Sequence, residues 1–279
     1  MRRYRLSHLT VVEYDGPVRT AHNELRMTPV TDAGQLTLEN RIRVKPMTWS
    51  HVYRDHWGTH TMEMESLVDH NALNIEAVST VERTTLEAEH EPLSWEALTD
   101  PVLADRHYEW LMQTRRTRPD ADLVALADQV RTSAAPGLAA VEVGRQLREV
   151  MTYRQGITGV HSRGADAWEE KAGVCQDFAH LTVGILRRLG VPARYVSGYL
   201  VPREDLVRGE SASGESHAWV EFWDDAWVPV DPTNGTDVGL EHIVVARGRD
   251  YMDVPPFKGI YSGSASSRQQ VVVTITRLA

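Results

Sequence analysis

Apolar residues follow two rhythms along the chain, one in each half. Up to about residue 90 they recur at every second position. Leu36, Leu38, Ile42 and Val44 alternate across a polar gap at Asn40, and the run stops at Pro46. Leu73, Ile75 and Ala77 alternate into Val78-Ser79-Thr80-Val81, and turn residues stand at Asp15-Gly16-Pro17 and Asp32-Ala33-Gly34. A period of two broken by such turns predicts short strands in a sandwich-like β domain. After a linker at Glu91-Pro92-Leu93-Ser94 the period lengthens. Ser94 is placed to cap a short helix at Trp95-Glu96-Ala97-Leu98. Helices are expected over 122–131 and 138–151, divided by Pro136-Gly137. The second has Leu138, Val141, Val143, Leu147 and Val150 as its apolar positions. Residues 153–164 read as a loop. Asp166-Ala167-Trp168-Glu169 has the form of a capping box that opens a short helix.

The strongest helical signal follows. Phe178, Leu181, Thr182, Ile185, Leu186 and Leu189 share one face, Arg187 and Arg188 sit in the last turn, and Gly190 is the stop. Cys175, the sole cysteine, stands at the head of this stripe. A lone cysteine in such a pattern is most often a small buried hydrophobe. A thiol in a first helical turn also meets unpaired N–H groups and the positive end of the dipole, which favour the thiolate.

The segment further on changes the picture. Ser216 to Trp223 and Ala226 to Asp231 are aromatic, β-branched runs split by a short polar turn, which predicts a hairpin. A three-residue loop over 223–225 would pair Phe222 with Ala226 and hence His217 with Asp231. Cβ atoms of opposed residues lie about 5 Å apart, close enough for the carboxylate to hold the imidazole. A two-residue loop would put the two side chains on opposite faces. Helix and hairpin together offer a thiol, a base and an orienting carboxylate: Cys175, His217 and Asp231.

The same residues carry a resemblance. Gly173-Val174-Cys175, Ala193 to Tyr199, Ser216-His217-Ala218-Trp219 and Asp231-Pro232-Thr233-Asn234-Gly235 resemble the bacterial transglutaminase-like family. His242 to Pro256 is similar to a segment that this subgroup carries after the Asp. Tyr4 to Thr10 and Asn23 to Pro29 look like the opening of its N-terminal β domain. The resemblance implies a separate β domain at 1–92 and a papain-like, transglutaminase-like core at 93–279. The expected fold class is α+β, with the nucleophile helix packed on an antiparallel sheet. The family includes proteases, amidases and cross-linking enzymes. Its implied chemistry is cleavage or transfer of a peptide or protein amide through a thioester. Hydrolysis is favoured because no calcium motif is evident: the 231–235 turn lacks the spaced ligands and closing Glu of a calcium loop. Protein-glutamine transfer to an amine and a non-catalytic binding module on this fold are the alternatives.

Nearby polar residues receive weaker assignments. Gln176, Asp177 and Trp219 are candidates for oxyanion or supporting roles, Asp177 by bonding first-turn N–H groups or a neighbouring loop. The backbone N–H of Cys175 is the natural first oxyanion donor. His180, about 140° further round the helix, is expected in the core or behind the site. Arg194 has two readings, pairing with a carboxylate near the site or standing as a solvated strand charge, and the second is expected. The polar stretch 203–216 reads as a mobile flap beside the site, with an inert insertion equally compatible. His51, His56 and His60 lack a fourth ligand, so packing or surface roles are expected, with no metal or other cofactor.

Composition fits a globular protein. The 279 residues are 42% hydrophobic and 25% charged, enough for one large core or two moderate ones. A net charge of −9 argues against nucleic-acid or anionic-membrane partners. One cysteine cannot form an internal disulfide. Met1-Arg2-Arg3 is not followed by an apolar signal region, and no 18-residue apolar run occurs. A cytoplasmic protein is expected, of open oligomeric state.

Overall fold

The computed structural model of the protein describes residues 1–85, 91–202 and 205–279. Its first strands are β1 (Arg2–Val18), β2 (Thr20–Leu25), β3 (Gln35–Lys45), β4 (Trp49–Arg54), β5 (His60–Ser66) and β6 (His70–Arg83). Helices α1 (Pro101–Arg106), α2 (Tyr108–Leu111), α3 (Ala121–Ser133) and α4 (Pro136–Val150) follow. The short strand β7 (Thr152–Tyr153), helix α5 (Gly164–Glu170) and short strand β8 (Ala172–Gly173) lead into α6 (Cys175–Arg188). Then come β9 (Ala193–Leu200), β10 (Ser211–Trp223), β11 (Trp227–Asp231), β12 (Thr236–Asp237) and β13 (His242–Gly248). The chain closes with β14 (Phe257–Ser262) and β15 (Ser267–Arg277).

Among the described residues, nine strands join in one sheet with the path β12-β11-β10-β15-β1-β6-β3, and β9 pairs with both β10 and β13. A second sheet runs β14-β2-β5-β4. The period of two is realised at Leu73, Ile75 and Ala77 of β6, which are buried; in β1, Tyr4, Leu6, Val12 and Tyr14 are buried as well. Val12, Leu73 and Ile75 from one sheet and Ala21, Leu25 and Met64 from the other form a core, which makes this part a sandwich. A larger core surrounds α6 and takes in Tyr4 and Leu6 from β1. The molecule is thus α+β: a β-sandwich-like N-terminal part and a core in which a helix packs on an antiparallel sheet.

Several local expectations differ from what is observed. Asp15-Gly16-Pro17 makes no chain reversal; it lies inside β1, whose register shifts between Glu13 and Val18. Leu36 and Leu38 are exposed, because β3 carries an irregularity between Thr37 and Glu39. The division at 92/93 follows the chain but not the sheets. The late strands β15 and β14 pair with β1 and β2. The second half of the polar 203–216 stretch, from Ser211, is strand rather than loop. Ser211 to Gly214 pair with Thr276 to Val273 of β15, which supplies the partner that a local reading cannot see; Arg203 and Glu204 lie outside the described residues. Arg194 is not a solvated charge: it donates to Glu221 at 2.5 Å, and its guanidinium lies 3.9 Å over the Trp227 ring.

Helix α4 turns a different face inward from the one its large residues suggest. Leu138, Val141 and Val150 are exposed, while Ala139, Ala140, Val143, Gly144 and Leu147 are buried. Small residues let the helix close on the chain beyond β11: a Cβ on Gly144 would stand 3.1 Å from Pro232 Cα. Helix α6 is buried nearly all round rather than along one stripe, since α3, α4, α5, β9 and β10 all pack on it. Arg187 is also enclosed. Its guanidinium donates to the carbonyls of Trp110, Met112, Ala193 and Arg249, and burial pushes its pKa down to about 9.

This face assignment predicts opposite outcomes for two leucines of α4. Leu147→Ala should lower the unfolding free energy in urea by about 2–5 kcal/mol. Leu138→Ala should change it by less than about 0.5 kcal/mol.

Candidate active site

Cys175 is the first residue of α6 and is partly buried against the main core. Val174 before it is extended and has no side-chain oxygen to cap the helix. Asp177 does that work from inside the first turn. Its Oδ2 accepts from the Val174 N–H at 2.8 Å and from the Thr158 hydroxyl at 2.5 Å. Of the two bonds considered for Asp177, the one to a neighbouring loop is made through Thr158, while the N–H it accepts belongs to Val174 just before the helix and not to the first turn. Gly173 is required for this closure, since a Cβ there would stand 2.7 Å from Asp177 Oδ2. Burial raises the Asp177 carboxyl from its ordinary range, partly offset by these two bonds. The Gln176 amide reaches to the Gly159 carbonyl at 3.3 Å and so faces the 153–164 loop. Helix geometry leaves the first N–H groups of α6, at Cys175 and Gln176, free of intrahelical partners.

The hairpin supplies the imidazole and the carboxylate, in a register two residues from the expected one. Asp224, Asp225 and Ala226 separate Trp223 from Trp227, the first pair, and Asp225 takes the left-handed conformation with φ 62°. Continued along the strands, this register puts Trp219 opposite Asp231 and His217 diagonally across on the same face. Because the offset is even, the face is preserved, and the diagonal is within reach of a long side chain. His217 Nε2 lies 2.7 Å from Asp231 Oδ2. Cys175 is close enough to the His217 ring to act on it, and its side chain raises the ring's affinity for a proton alongside Asp231.

Asp231 is 0% exposed, and hydrogen bonds compensate its buried charge. Oδ1 accepts from the backbone N–H groups of Thr233 at 3.0 Å and Asn234 at 3.1 Å. Oδ2 accepts from His217, from the Asn234 amide at 2.8 Å and from His242 Nε2 at 3.3 Å. Burial works to raise this carboxyl, but the bonds from His217 and His242 outweigh it and hold it well below the usual carboxylate range. For His217, burial works to lower the pKa; Asp231 and Cys175 prevail and raise it to about 9. His242 shifts the other way. Burial lowers it despite Asp231, and its Nδ1 accepts the Gly239 N–H, so the neutral ring presents Nε2–H to the carboxylate.

Trp219 is 0% exposed, with its ring stacked beside His217 at 6.1 Å and edge-on to His242 at 5.2 Å. It packs with Val196 and Val244 and forms a dry wall behind the imidazole. His180 is fully buried; its Nε2 accepts the Tyr251 N–H at 3.1 Å, and burial pushes it down to about 3. Sequence reading gave no role to His242 or Asn234. Asn234 had a usable signal as a turn residue three places after an Asp. His242 had only its place at the head of the apolar run Ile243 to Ala246.

Among the described residues, His217, Asp231 and His242 form the one group whose ligand atoms could share a cation, lying within 4.8 Å of one another. Both imidazoles point Nε2 at the same carboxylate oxygen, at hydrogen-bonding distances. Two donors on a tetrahedral zinc stand about 3.3 Å apart, so the 2.7 Å His217–Asp231 contact is a hydrogen bond rather than a shared ion. His56 is elsewhere, bonded to Glu109, and His51 stacks between Trp49 and Tyr53.

Fold and site together define a transglutaminase-like protein. Residues 124–232 match the model of the transglutaminase-like superfamily core, and residues 4–82 match that of the bacterial transglutaminase-like N-terminal region. A Mycobacterium leprae protein is 40% identical over 279 residues, covering all of both chains. A Mycobacterium tuberculosis protein is 32% identical over 98% of this chain and 92% of its own. The chain belongs to the bacterial transglutaminase-like family. A crystal structure of a candidate cysteine protease from Cytophaga hutchinsonii shares the fold, with a TM-score of 0.77 and 20% identity over 100% of this chain and 91% of that one. A protein-glutamine gamma-glutamyltransferase of Pseudomonas aeruginosa is 30% identical over 146 residues, 47% of this chain and 22% of that protein.

The raised His217 pKa sets a sign. A histidine that titrates near 9 folded and 6.5 unfolded contributes stability that is fully present below pH 6.5 and is lost as pH rises through about 9. The depressed Asp231 contributes stability that is present above its unfolded value and lost as pH falls toward the folded one. In ring-selective NMR, His217 should titrate near pH 9 in the native protein. Asp231→Asn should bring it down toward 6.5 and flatten the stability decline between those two pH values.

Proposed function

We propose that this protein is a thiol-dependent acyl-transfer enzyme, with Cys175 as nucleophile, His217 as base and then acid, and Asp231 as the group that orients His217. The observation that carries this reading is the His217 ring, which is held by the buried Asp231 at 2.7 Å and whose affinity for a proton is raised by both Asp231 and Cys175. The imidazole takes the thiol proton, and Asp231 stabilises the imidazolium that results. The thiolate sulfur then bonds the carbonyl carbon of an amide, and the carbonyl π electrons move onto oxygen. As that pair returns, the C–N bond breaks and the leaving nitrogen takes the proton from His217. A thioester remains on Cys175. Water resolves it to a carboxylic acid, and an amine resolves it to a new amide; each regenerates the thiol.

Hydrolysis of peptide or isopeptide amides is the favoured outcome, with a reducing, cytoplasmic setting suited to the free thiol. The fold shared with a candidate cysteine protease is compatible with it. The Pseudomonas relative, named for glutamine transfer, supports amine acceptance as the second reading.

Three measurements test the proposal. Iodoacetamide at pH 6.5 should alkylate Cys175 rapidly, and His217→Ala should slow this by about 100-fold, since a normal thiol is about 1% ionised there. Incubation with a peptide library should leave an acyl group on Cys175 by mass spectrometry. Cys175→Ala should lose that label and all turnover. Turnover should fall as pH rises through about 9, where His217 loses the proton it gives to the leaving amine. A flat profile there, or an acyl group on another residue, would overturn the assignment. Added primary amine that diverts product from acid to amide would favour transfer over hydrolysis.

A further inference from the structure

The oxyanion formed on attack by Cys175 needs two donors, and the helix start provides one of them, the Cys175 N–H. The candidates for the second are restricted. The Gln176 amide is turned to the Gly159 carbonyl, the Asn234 amide is held by Asp231, and the Trp219 indole is fully buried in a small core. Backbone pairing sets another polar side chain, Tyr153, beside Gly173 at the approach to the first turn of α6. We propose that the hydroxyl of Tyr153 is the second donor to the oxyanion formed at Cys175. This assignment rests on the acyl-transfer reading above.

Backbone pairing puts Tyr153 there. Strands β7 and β8 pair in parallel with Tyr153 beside Gly173, two residues before the thiol. The Arg154 N–H donates to the Gly173 carbonyl and the Thr152 N–H to the Lys171 carbonyl, both at 2.9 Å, which fixes this register. Neighbours across a ladder project to the same face. The face at Gly173 is the one turned to the first turn of α6, because a Cβ there would meet the Asp177 side chain at 2.7–2.9 Å. Tyr153 therefore rises on the side of the helix start, with no side chain at 173 to screen it. The residue is 49% exposed, as a group at the mouth of a site should be.

The surroundings keep the phenol a donor. Burial raises its pKa first, and the Cys175, Glu215 and Asp177 charges raise it further. Only the Gln155 side chain opposes them, so the phenol keeps its proton at neutral pH and its O–H can donate. During acylation the sulfur bonds the carbonyl carbon, the π pair moves to oxygen, and Tyr153 O–H and Cys175 N–H donate to that oxygen. When the pair returns and the leaving group departs, both donors are released unchanged.

The test separates this role from a structural one by using two reactions of the same thiol. Acetylation by p-nitrophenyl acetate passes through a tetrahedral oxyanion, whereas alkylation by iodoacetamide does not. Tyr153→Phe should slow acetylation of Cys175 by about 100-fold, mainly in kcat. It should leave the alkylation rate at pH 6.5 within about twofold, since the thiol and imidazole that set that rate are untouched. Unchanged alkylation also reports that the variant is folded. Tyr153→Gln, which returns a donor, should recover part of the loss. Acetylation by Tyr153→Phe at the wild-type rate would overturn the assignment. So would a parallel fall in both reactions, which would make Tyr153 a support for the thiol. A wild-type protein that p-nitrophenyl acetate does not acetylate at Cys175 would sink the acyl-transfer reading itself.

Discussion

A fully buried carboxylate organises the site. Asp231 has no contact with water, and an unpaired charge at such depth would be prohibitive. The chain satisfies it from separate segments: His217 on β10, the turn after β11 through Thr233 and Asn234, and His242 on β13. Each partner is thereby located relative to the others. The same carboxylate selects the His217 nitrogen that faces it and raises the ring's affinity for a proton. From outside, α4 closes the turn: Gly144 packs on Pro232, and Arg148 donates to the Pro232 carbonyl at 2.7 Å.

Cys175 is held by an independent device. Helix α6 is fixed at its start by Asp177, which joins the Val174 N–H to the 153–164 loop through Thr158. At its far end the buried Arg187 gathers four backbone carbonyls from three segments. Between those ends the helix is enclosed by other helices and by β9 and β10. The place of the thiol is therefore set by a rigid helix docked on β10, the strand that carries His217. Precision of this kind is expected from regular elements more than from loops.

Strand β10 links the two parts of the molecule. Its first residues pair with β15, which in turn pairs with β1, while its later residues pair with β9 and β11. The sandwich and the core thus share one sheet and, through Tyr4 and Leu6, one hydrophobic cluster. A change in the N-terminal strands has a covalent and hydrogen-bonded route to the strand that holds His217.

Local pattern alone determined a good part of this. The stripe from Phe178 to Leu189 and the stop at Gly190 set α6, with Cys175 at its head, because a helical period and a left-handed glycine are short-range properties. The aromatic runs on either side of Asp224-Asp225 set the hairpin, and an even register was enough to put His217 and Asp231 on one face. Tertiary structure decided the rest. The register itself settled two residues from the simplest turn, and α4 buried its alanines and Gly144 instead of Leu138 and Val141. Hydrophobicity marks which residues can be buried, whereas close approach to another segment selects the small ones. The 211–214 stretch became strand because β15 came to it from more than fifty residues away. His242 reached Asp231 in the same manner. Partners brought by a distant segment leave no period in the sequence, so these contacts exist only once the chain has folded.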